Sequence, residues 1–310
     1  MSLLAVGTVG LDLIETPFTR SENVLGGSVT YIALAARFFV NPVAVVAIVG
    51  RDFPPEYWTI LQDRDIDLEG LQVDPDGTTF AWGGRYQHDL NQRETLYTDL
   101  NTLATFDPVV PAACSSSEIV CLGNLAPETQ LGVLGQMNSP RMVLCDTMNY
   151  WISNTPQQLR SVLKHVDCLI INDAEARQLA GEPNLLLAAR KVRAMGPPTL
   201  VIKKGEHGAM LFLDDTVFIV PAYPLEDIQD PTGAGDAFMG GFAGSLARER
   251  TIDADALKRA MVYGSSLASY CVEVIGPARL LQITAADIQR RAEAFCSMTI
   301  IPALESAAIT

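Results

Sequence analysis

Histidines and basic side chains are scarce in this chain. Only three histidines (His88, His165 and His207) occur in 310 residues, and 22 lysines and arginines face 36 aspartates and glutamates, a net formal charge of −14. That acidic surplus opposes non-specific binding to nucleic acid or to an anionic membrane, although local donors and a metal ion can still capture a phosphorylated metabolite. The cysteines (Cys114, Cys121, Cys145, Cys168, Cys271 and Cys296) include no C-x-x-C pair, and with so few histidines this argues against a zinc site. Scattered through apolar runs, they read as buried free thiols, which suits a reducing cytoplasm. No apolar run is long enough to span a membrane; the longest, near 29–49, is broken by Arg37, Asn41 and Pro42. The opening MSLLAVGTVGLD has no basic segment and is expected to be a first strand, not a signal peptide. Also missing are repeats of 20–50 residues and low-complexity segments. There is no P-loop G-x-x-x-x-G-K-[ST], and no G-x-G-x-x-G after the first strand, which argues against a dinucleotide oxidoreductase. Charged residues make up only 19% and apolar residues 48%, a composition that folds around a sizeable core.

What is present alternates between two periodicities. LLAVG (3–7), PVAVVAIVG (42–50), SEIVCLG (117–123), RMVLCD (141–146), VDCLIIND (166–173) and PTLVIKKG (198–205) are short apolar runs that read as buried strands. Helical patterns fall between them. In GGSVTYIALAARFF, for example, Val29, Ile32, Ala33, Ala36 and Phe39 share a face, with Ser28 as the expected N-cap. AMLFLDDTVFIVPA predicts a hairpin turning at Asp214 and Asp215. Residues 70–105 differ: LQVD, TTFAWGGRY and ETLYTDL predict short antiparallel strands outside the α/β core. Strands alternating with helices imply a mostly parallel sheet covered on both faces, with ligands at the carboxyl ends of its strands.

The densest signal is DPTGAGDAFMGGFAG (230–244). Small residues surround one carboxylate, with a helix expected from Ala237. At a helix N-terminus several N–H groups lack partners, and glycines leave them open to an anion. Residues Gly233–Asp236 therefore predict an anion hole. Gly240, Gly241 and Gly244 each cost ~1 kcal/mol in a helix interior, which close packing against a neighbouring helix would explain.

DPTGAGDAFMGGF resembles the C-terminal signature of the PfkB/ribokinase family of carbohydrate kinases, D-T-x-G-A-G-D-x-F, departing from it at Pro231. Other segments are similar to family motifs in the same order, from about residue 3 to 297: VGLDL (9–13), GGSVTYIALAAR (26–37), VGRDF (49–53), NDAEARQLAG (172–181) and VIKKGEHGAMLF (201–212). The resemblance implies one ribokinase-like domain over 1–298, with a mostly parallel central sheet flanked by helices on both faces, a small β-sheet lid near 12–25 and 70–105, and a tail at 299–310. It implies Asp236 as the residue taking the acceptor hydroxyl proton, with Gly233, Ala234 and Gly235 offering N–H groups to the transferred phosphoryl. Asp12, Gly26, Gly27 and Tyr31 would bind substrate, Tyr31 standing where many sugar kinases carry asparagine. Asn172 and Glu175 would hold Mg²⁺ through water. Asp230 and Thr232 would form part of a K⁺ loop, completed by backbone groups around 268–276. Lys203, Lys204, Gly205 and Gly208 would lie beside the nucleotide phosphates; adjacent strand residues face opposite sides, so at most one of the two lysines reaches them.

Asp146, with Asn149 and Trp151 nearby, reads either as site lining or as a turn. Phe80, Trp82 and Tyr86 read as a cap over the substrate, a homodimer contact through the lid, or a small-sheet core. The implied activity is ATP-dependent phosphorylation of a primary hydroxyl on a small carbohydrate, with a nucleoside as the alternative acceptor. A non-catalytic metabolite-binding protein of the same fold is a more remote reading.

Overall fold

The computed structural model describes residues 2–90 and 93–301. Its nine-stranded sheet has the order β13-β12-β11-β10-β9-β8-β1-β4-β5. The central strands are β1 (Leu3–Val6), β4 (Val43–Gly50), β8 (Ile119–Leu122), β9 (Met142–Cys145), β10 (Cys168–Asn172) and β11 (Thr199–Lys203), all running parallel, as continuous apolar runs predict. One edge is the expected hairpin, β12 (Ala209–Leu213) and β13 (Thr216–Val220), antiparallel and turning at Asp214, whose φ is 48°.

Side chains on alternate faces of these strands enter two separate cores. Leu3, Ala5, Val43 and Val45 pack towards α1 (Ser28–Ala36), α2 (Pro55–Asp63), α8 (Ala234–Ala247), α9 (Ala254–Cys271), α10 (Ala278–Gln282) and α11 (Ala285–Thr299). Leu4, Val6, Val46 and Ile48 pack towards α3 (Pro127–Leu134), α4 (Asn149–Asn154), α5 (Pro156–Leu163), α6 (Asp173–Ala180) and α7 (Leu185–Arg193). No helix among the described residues is long and apolar enough to cross a membrane.

A second, four-stranded sheet has the order β3-β2-β6-β7, built from β2 (Gly10–Glu15), β3 (Arg20–Gly26), β6 (Phe80–Tyr86) and β7 (Arg93–Asp99). This is the expected lid, with one correction. LQVD belongs to β5 (Ile66–Asp74), which pairs parallel with β4 at the edge of the large sheet. Its Leu71 and Ile66 are buried in the first core, so burial against helices decided the pairing that local β-propensity left open. Asp52, from VGRDF at the end of β4, fixes the return into the lid: its Oδ1 accepts from Thr79 N–H at 2.7 Å and from the Thr79 hydroxyl at 2.8 Å.

The glycines of α8 do what the pattern suggested. A Cβ on Gly240 would stand 2.3 Å from the Ile32 carbonyl of α1, and one on Gly241 would stand 3.0 Å from the Tyr263 carbonyl of α9. Three helices thus meet almost backbone to backbone, one turn beyond the start of α8.

Candidate active site

The carboxyl ends of the parallel strands gather the polar residues. Asp146 follows β9, Asn172 ends β10 and Lys203 ends β11, with Asn172 and Lys203 paired in register. Across from them α8 begins at Ala234, three residues earlier than the sequence pattern placed it, with Gly233 as N-cap at φ 76°. Only a residue tolerant of the left-handed region fits there, and a Cβ would also lie 2.4 Å from the Tyr31 ring. Gly233–Asp236 are therefore the N-cap and first turn of a 14-residue helix, at the positive end of the helix dipole; Ala234, expected to offer its N–H to an anion, instead donates it to the Pro231 carbonyl at 3.2 Å, closing the turn into the helix.

Asp236 sits in that first turn. Burial pushes its carboxyl up to about 7, with Asp146 adding to the shift and Lys203 and Arg93 opposing it. Glu175 is likewise pushed to about 7 by burial and Asp146, against Lys203 and Arg93. Lys203 stands 3.9 Å from Asp146 Oδ2. Burial pulls the pKa of its ammonium down, but Asp146, Glu175 and Asp236 together hold it above the ordinary value.

The lid supplies the opposite wall. Gly26 is glycine because a Cβ there would lie 2.0 Å from Asp12 Oδ2, and Gly27, at φ 88°, turns the chain from the lid into α1. Asp12 is 4% exposed and its Oδ1 has no partner. Burial, with the charges of Asp230 and Asp236, raises its pKa to about 8, opposed by Arg93. An orphaned buried carboxylate oxygen is costly unless a ligand donates to it. The Tyr86 hydroxyl meets Thr232 Oγ1 at 2.9 Å, so the lid is latched to the loop just before the anion hole.

Most of the expected residues converge here, with three corrections. Tyr31 is 1% exposed and lies under Gly233, with its hydroxyl unpartnered, so it supports the anion loop and offers no stacking face to a substrate. Ser28 is not an N-cap: Gly27 holds that position, and Ser28 Oγ accepts from Thr8 N–H at 3.1 Å while Thr8 Oγ1 accepts from Ser28 N–H at 3.0 Å. Lys204 stands outside the cluster that holds Lys203: it opens the turn Gly205–His207, where its N–H donates to the Gly208 carbonyl at 2.8 Å.

Asn172 and Glu175 form a capping box, each side chain accepting from the other's backbone N–H at 2.8 Å. Asp230 is completely buried; its Oδ1 accepts from Thr232 N–H at 2.8 Å and its Oδ2 from Gly276 N–H at 3.0 Å, so this loop is closed by its own backbone donors. Trp151 donates to Asn124 Oδ1 at 2.9 Å and Asn149 is exposed, which leaves Asp146 as the member of that segment facing the site. In the lid, Phe80 packs on Gly10 and Trp82 folds over Gly84 beneath the Arg93 guanidinium, 5.1 Å from the ring centroid. Arg93 itself went unseen in the sequence: it is one basic residue in no motif, and only the pairing of β7 with β6 brings its charge to Asp12, Glu175 and Asp236.

No group of three or more metal-ligating side chains occurs among the described residues. The donor set nevertheless fits a hydrated divalent ion brought with phosphates, because Asp146, Glu175 and Asp236 outnumber the single lysine among them.

Known proteins resemble this chain along most of its length. The cytidine kinase of Thermococcus kodakarensis is 27% identical over 257 residues, covering 82% of this chain and 91% of its own. The nucleoside kinase of Methanothermobacter thermautotrophicus is 27% identical over 319 residues, covering 93% and 94%. The structure of Burkholderia thailandensis nucleoside kinase in complex with inosine superposes with a TM-score of 0.78 at 21% identity, over 94% of this chain and 97% of that one. The family model described as pfkB family carbohydrate kinase matches residues 14–283. With that match spanning most of its length, the chain belongs to the pfkB family of carbohydrate kinases, phosphotransferases that act on a hydroxyl group.

Proposed function

We propose that this kinase transfers the γ-phosphoryl group of ATP to the primary hydroxyl of a nucleoside. One observation carries the reading: Asp236 stands in the first turn of α8, and the lid brings Asp12, with an unpartnered buried oxygen, close enough for the two charges to perturb each other. A ribosyl group has donors for both carboxylates. Its vicinal hydroxyls donate to Asp12, since a carboxylate accepts from two neighbours at once, and its hydroxymethyl group reaches Asp236. The acceptor oxygen then bonds to the γ-phosphorus as the bond to the diphosphate leaving group breaks, and its proton passes to Asp236. That carboxyl is pushed up to about 7, a better-matched base than an ordinary aspartate. The N–H groups of Gly233 and Gly235 would meet the charge that develops on the phosphoryl oxygens. Mg²⁺, held through water by Asn172 and Glu175, would supply charge neutralisation on the phosphates. No step is assigned to a monovalent cation.

The nucleoside is preferred to a free sugar because relatives matching more than four-fifths of the chain carry nucleosides in their names. A sugar kinase of the ribokinase type is the second reading, since Asp12 and Asp236 address only the ribosyl part. The test is product analysis with ATP and Mg²⁺ over cytidine, inosine, adenosine, ribose and fructose. The proposal expects a nucleoside monophosphate esterified at the primary hydroxyl. Turnover of ribose or fructose without any nucleoside would establish the second reading. Asp236→Asn should lower kcat by ~100-fold or more while leaving ADP affinity unchanged; a variant keeping a tenth of the wild-type kcat would remove Asp236 from its role.

A further inference from the structure

The edge of a β-sheet presents unpaired backbone N–H and C=O groups, and soluble proteins blunt such edges with charge, proline or bulges. Among the described residues, three of the edges of the two sheets are blunted. β5 carries Asp67, Glu69 and Asp74 and shifts register against β4 between Ala44 and Val46. β3 carries Arg20 and Glu22, passes through Asn23 at φ 54°, and is irregular against β2 between Asp12 and Ile14. β7 carries Arg93, Glu94 and Asp99 and is irregular against β6 between Gly83 and Gly84. The remaining edge, β13, has none of these devices: Thr216–Val220 reads TVFIV, with no charge, no proline and no register shift.

The hairpin determines which groups of β13 are free. Asp214 and Asp215 form a two-residue turn, so Thr216 exchanges hydrogen bonds with Leu213. Alternation gives the next such pairs to Phe218 with Leu211 and to Val220 with Ala209. The N–H and C=O groups of Val217 and Ile219 therefore point away from β12, and no other hydrogen bond among the described residues takes them up. Their side chains are open as well, 45% and 58% exposed. They stand in register with Phe212 and Met210 of the second core. The helix nearest on that face is α7, whose Arg193 donates to the Asp214 carbonyl at 2.6 Å, and it leaves these two side chains in solvent.

This edge is complementary to itself. Two copies of β13 laid antiparallel, with a two-fold axis at Phe218, set Val217 of each copy beside Ile219 of the other. Those pairs exchange about four hydrogen bonds, and β-branched side chains meet on the open face. The charges suit the same orientation. Asp214 and Asp215 lie at one end of the strand. At the other end Val220 and Pro221 pack on Gly208 of the turn that carries Lys204 and His207, with Glu206 3.9 Å from His207. Antiparallel pairing points each acidic end towards the other copy's basic end, whereas parallel pairing would set acid against acid. The chain's own sequence past residue 301, PALESAAIT, is a poorer occupant, because it opens on proline and is rich in residues that disfavour strands.

We propose that β13 is a self-association edge, at which a second copy of this chain continues the nine-stranded sheet across a two-fold axis. The contact belongs to the large sheet and not to the lid. A five-residue edge is only ~17 Å long, short for the ~1,600 Å² of a typical stable interface. The dimer should therefore be weak, with Kd on the order of 10–100 µM.

The experiment is sedimentation velocity on the full chain at roughly 2 and 200 µM, with amide hydrogen exchange at the same two concentrations. The wild type should pass from monomer to dimer. Exchange over residues 216–220 should slow ~2-fold or more at the higher concentration, while the lid strands exchange unchanged. Val217→Pro removes an outward N–H and none that β12 uses, so it should stay monomeric with a melting temperature near that of the wild type. Ile219→Lys should do the same by placing charge on the edge, and Ile219→Val should still dimerise. A wild type that is monomeric at both concentrations overturns the proposal; if removing residues 302–310 then produces the dimer, the edge belongs to the chain's own tail. A dimer that survives both Val217→Pro and Ile219→Lys, or protection that arises in the lid instead of 216–220, overturns it by placing the contact elsewhere. Should either variant fail to fold, the exchange pattern of the wild type decides alone.

Discussion

Asp12→Asn should make the protein more stable, and by an amount that depends on pH. In the folded chain burial lifts the Asp12 carboxyl from an ordinary 3.8 to about 8. Between those two values the native state holds a proton at Asp12 that the unfolded chain has released. Stability contributed at this site is therefore complete below about pH 4 and is lost as pH rises towards 8. At ~1.4 kcal/mol per pH unit the ceiling on the loss is on the order of 5 kcal/mol. The protein can escape part of it by opening the lid and rehydrating the carboxylate, so we expect roughly 2 kcal/mol at pH 8, several degrees in a melting midpoint. Asparagine has the same shape and no charge; acids remote from Asp12 titrate equally in both proteins and cancel in the difference, while Asp230 and Asp236, which feel its charge, lose one repulsion in the variant and add to its advantage at high pH. The assay is thermal or urea unfolding of wild type and variant at intervals from pH 4 to 8.5. The curves should coincide near pH 4 and separate steadily, with the variant above. Parallel curves, or a variant less stable at pH 8, would refute the claim that the closed lid buries an unpaired Asp12.

Two further changes separate structural from functional duties. Glu175→Gln keeps an oxygen for Asn172 N–H, so its melting temperature at pH 8 should not fall, while the Mg²⁺ concentration for half-maximal rate should rise several-fold; an unchanged Mg²⁺ titration would leave Glu175 with its capping box alone. Tyr86→Phe removes the 2.9 Å latch to Thr232, worth about 1 kcal/mol, and should raise acceptor KM ~5-fold with kcat within twofold; an unchanged KM would show that the latch does not hold the lid over the substrate.

The parts of this structure readable from sequence are those with local causes. Buried parallel strands announce themselves as apolar runs, and G-A-G-D announces a helix N-terminus because only small residues leave its N–H groups open. Asp12, Asp146, Asn172, Lys203 and Asp236 could be listed because each falls at a strand end or in a motif. What stayed hidden were relations. LQVD has the local character of a lid strand, and only its burial beside β4 makes it an edge of the main sheet. Tyr31 reads as a substrate contact until α1 is packed against α8, which places its ring under Gly233. Arg93 carries no local signal at all. Strand alternation allowed one lysine of the Lys203–Lys204 pair into the site but could not choose; the register with Asn172 and the contact at Gly235 choose Lys203.

The charge balance of the site bears on how the lid works. Lys203 belongs to the fixed wall, whereas Arg93 arrives with the lid, together with Asp12. With the small sheet over the site, burial pushes Asp12, Glu175 and Asp236 to about 8, 7 and 7. At neutral pH the empty enzyme must then take up protons or remain open. On the proposed reading a bound polyol would change this, because its hydroxyls would donate to Asp12 and replace the lost water. The hypothesis that follows is that closure is tied to the acceptor through Asp12, which keeps the nucleotide from being spent on water while the site is empty. In Asp12→Asn the penalty for closing empty is gone, so acceptor-free ATP hydrolysis should rise relative to the kinase rate. Measuring ADP release with no acceptor present decides the matter: equal hydrolysis in variant and wild type would mean that the carboxylate does not gate the lid, even if the stability difference at pH 8 is found.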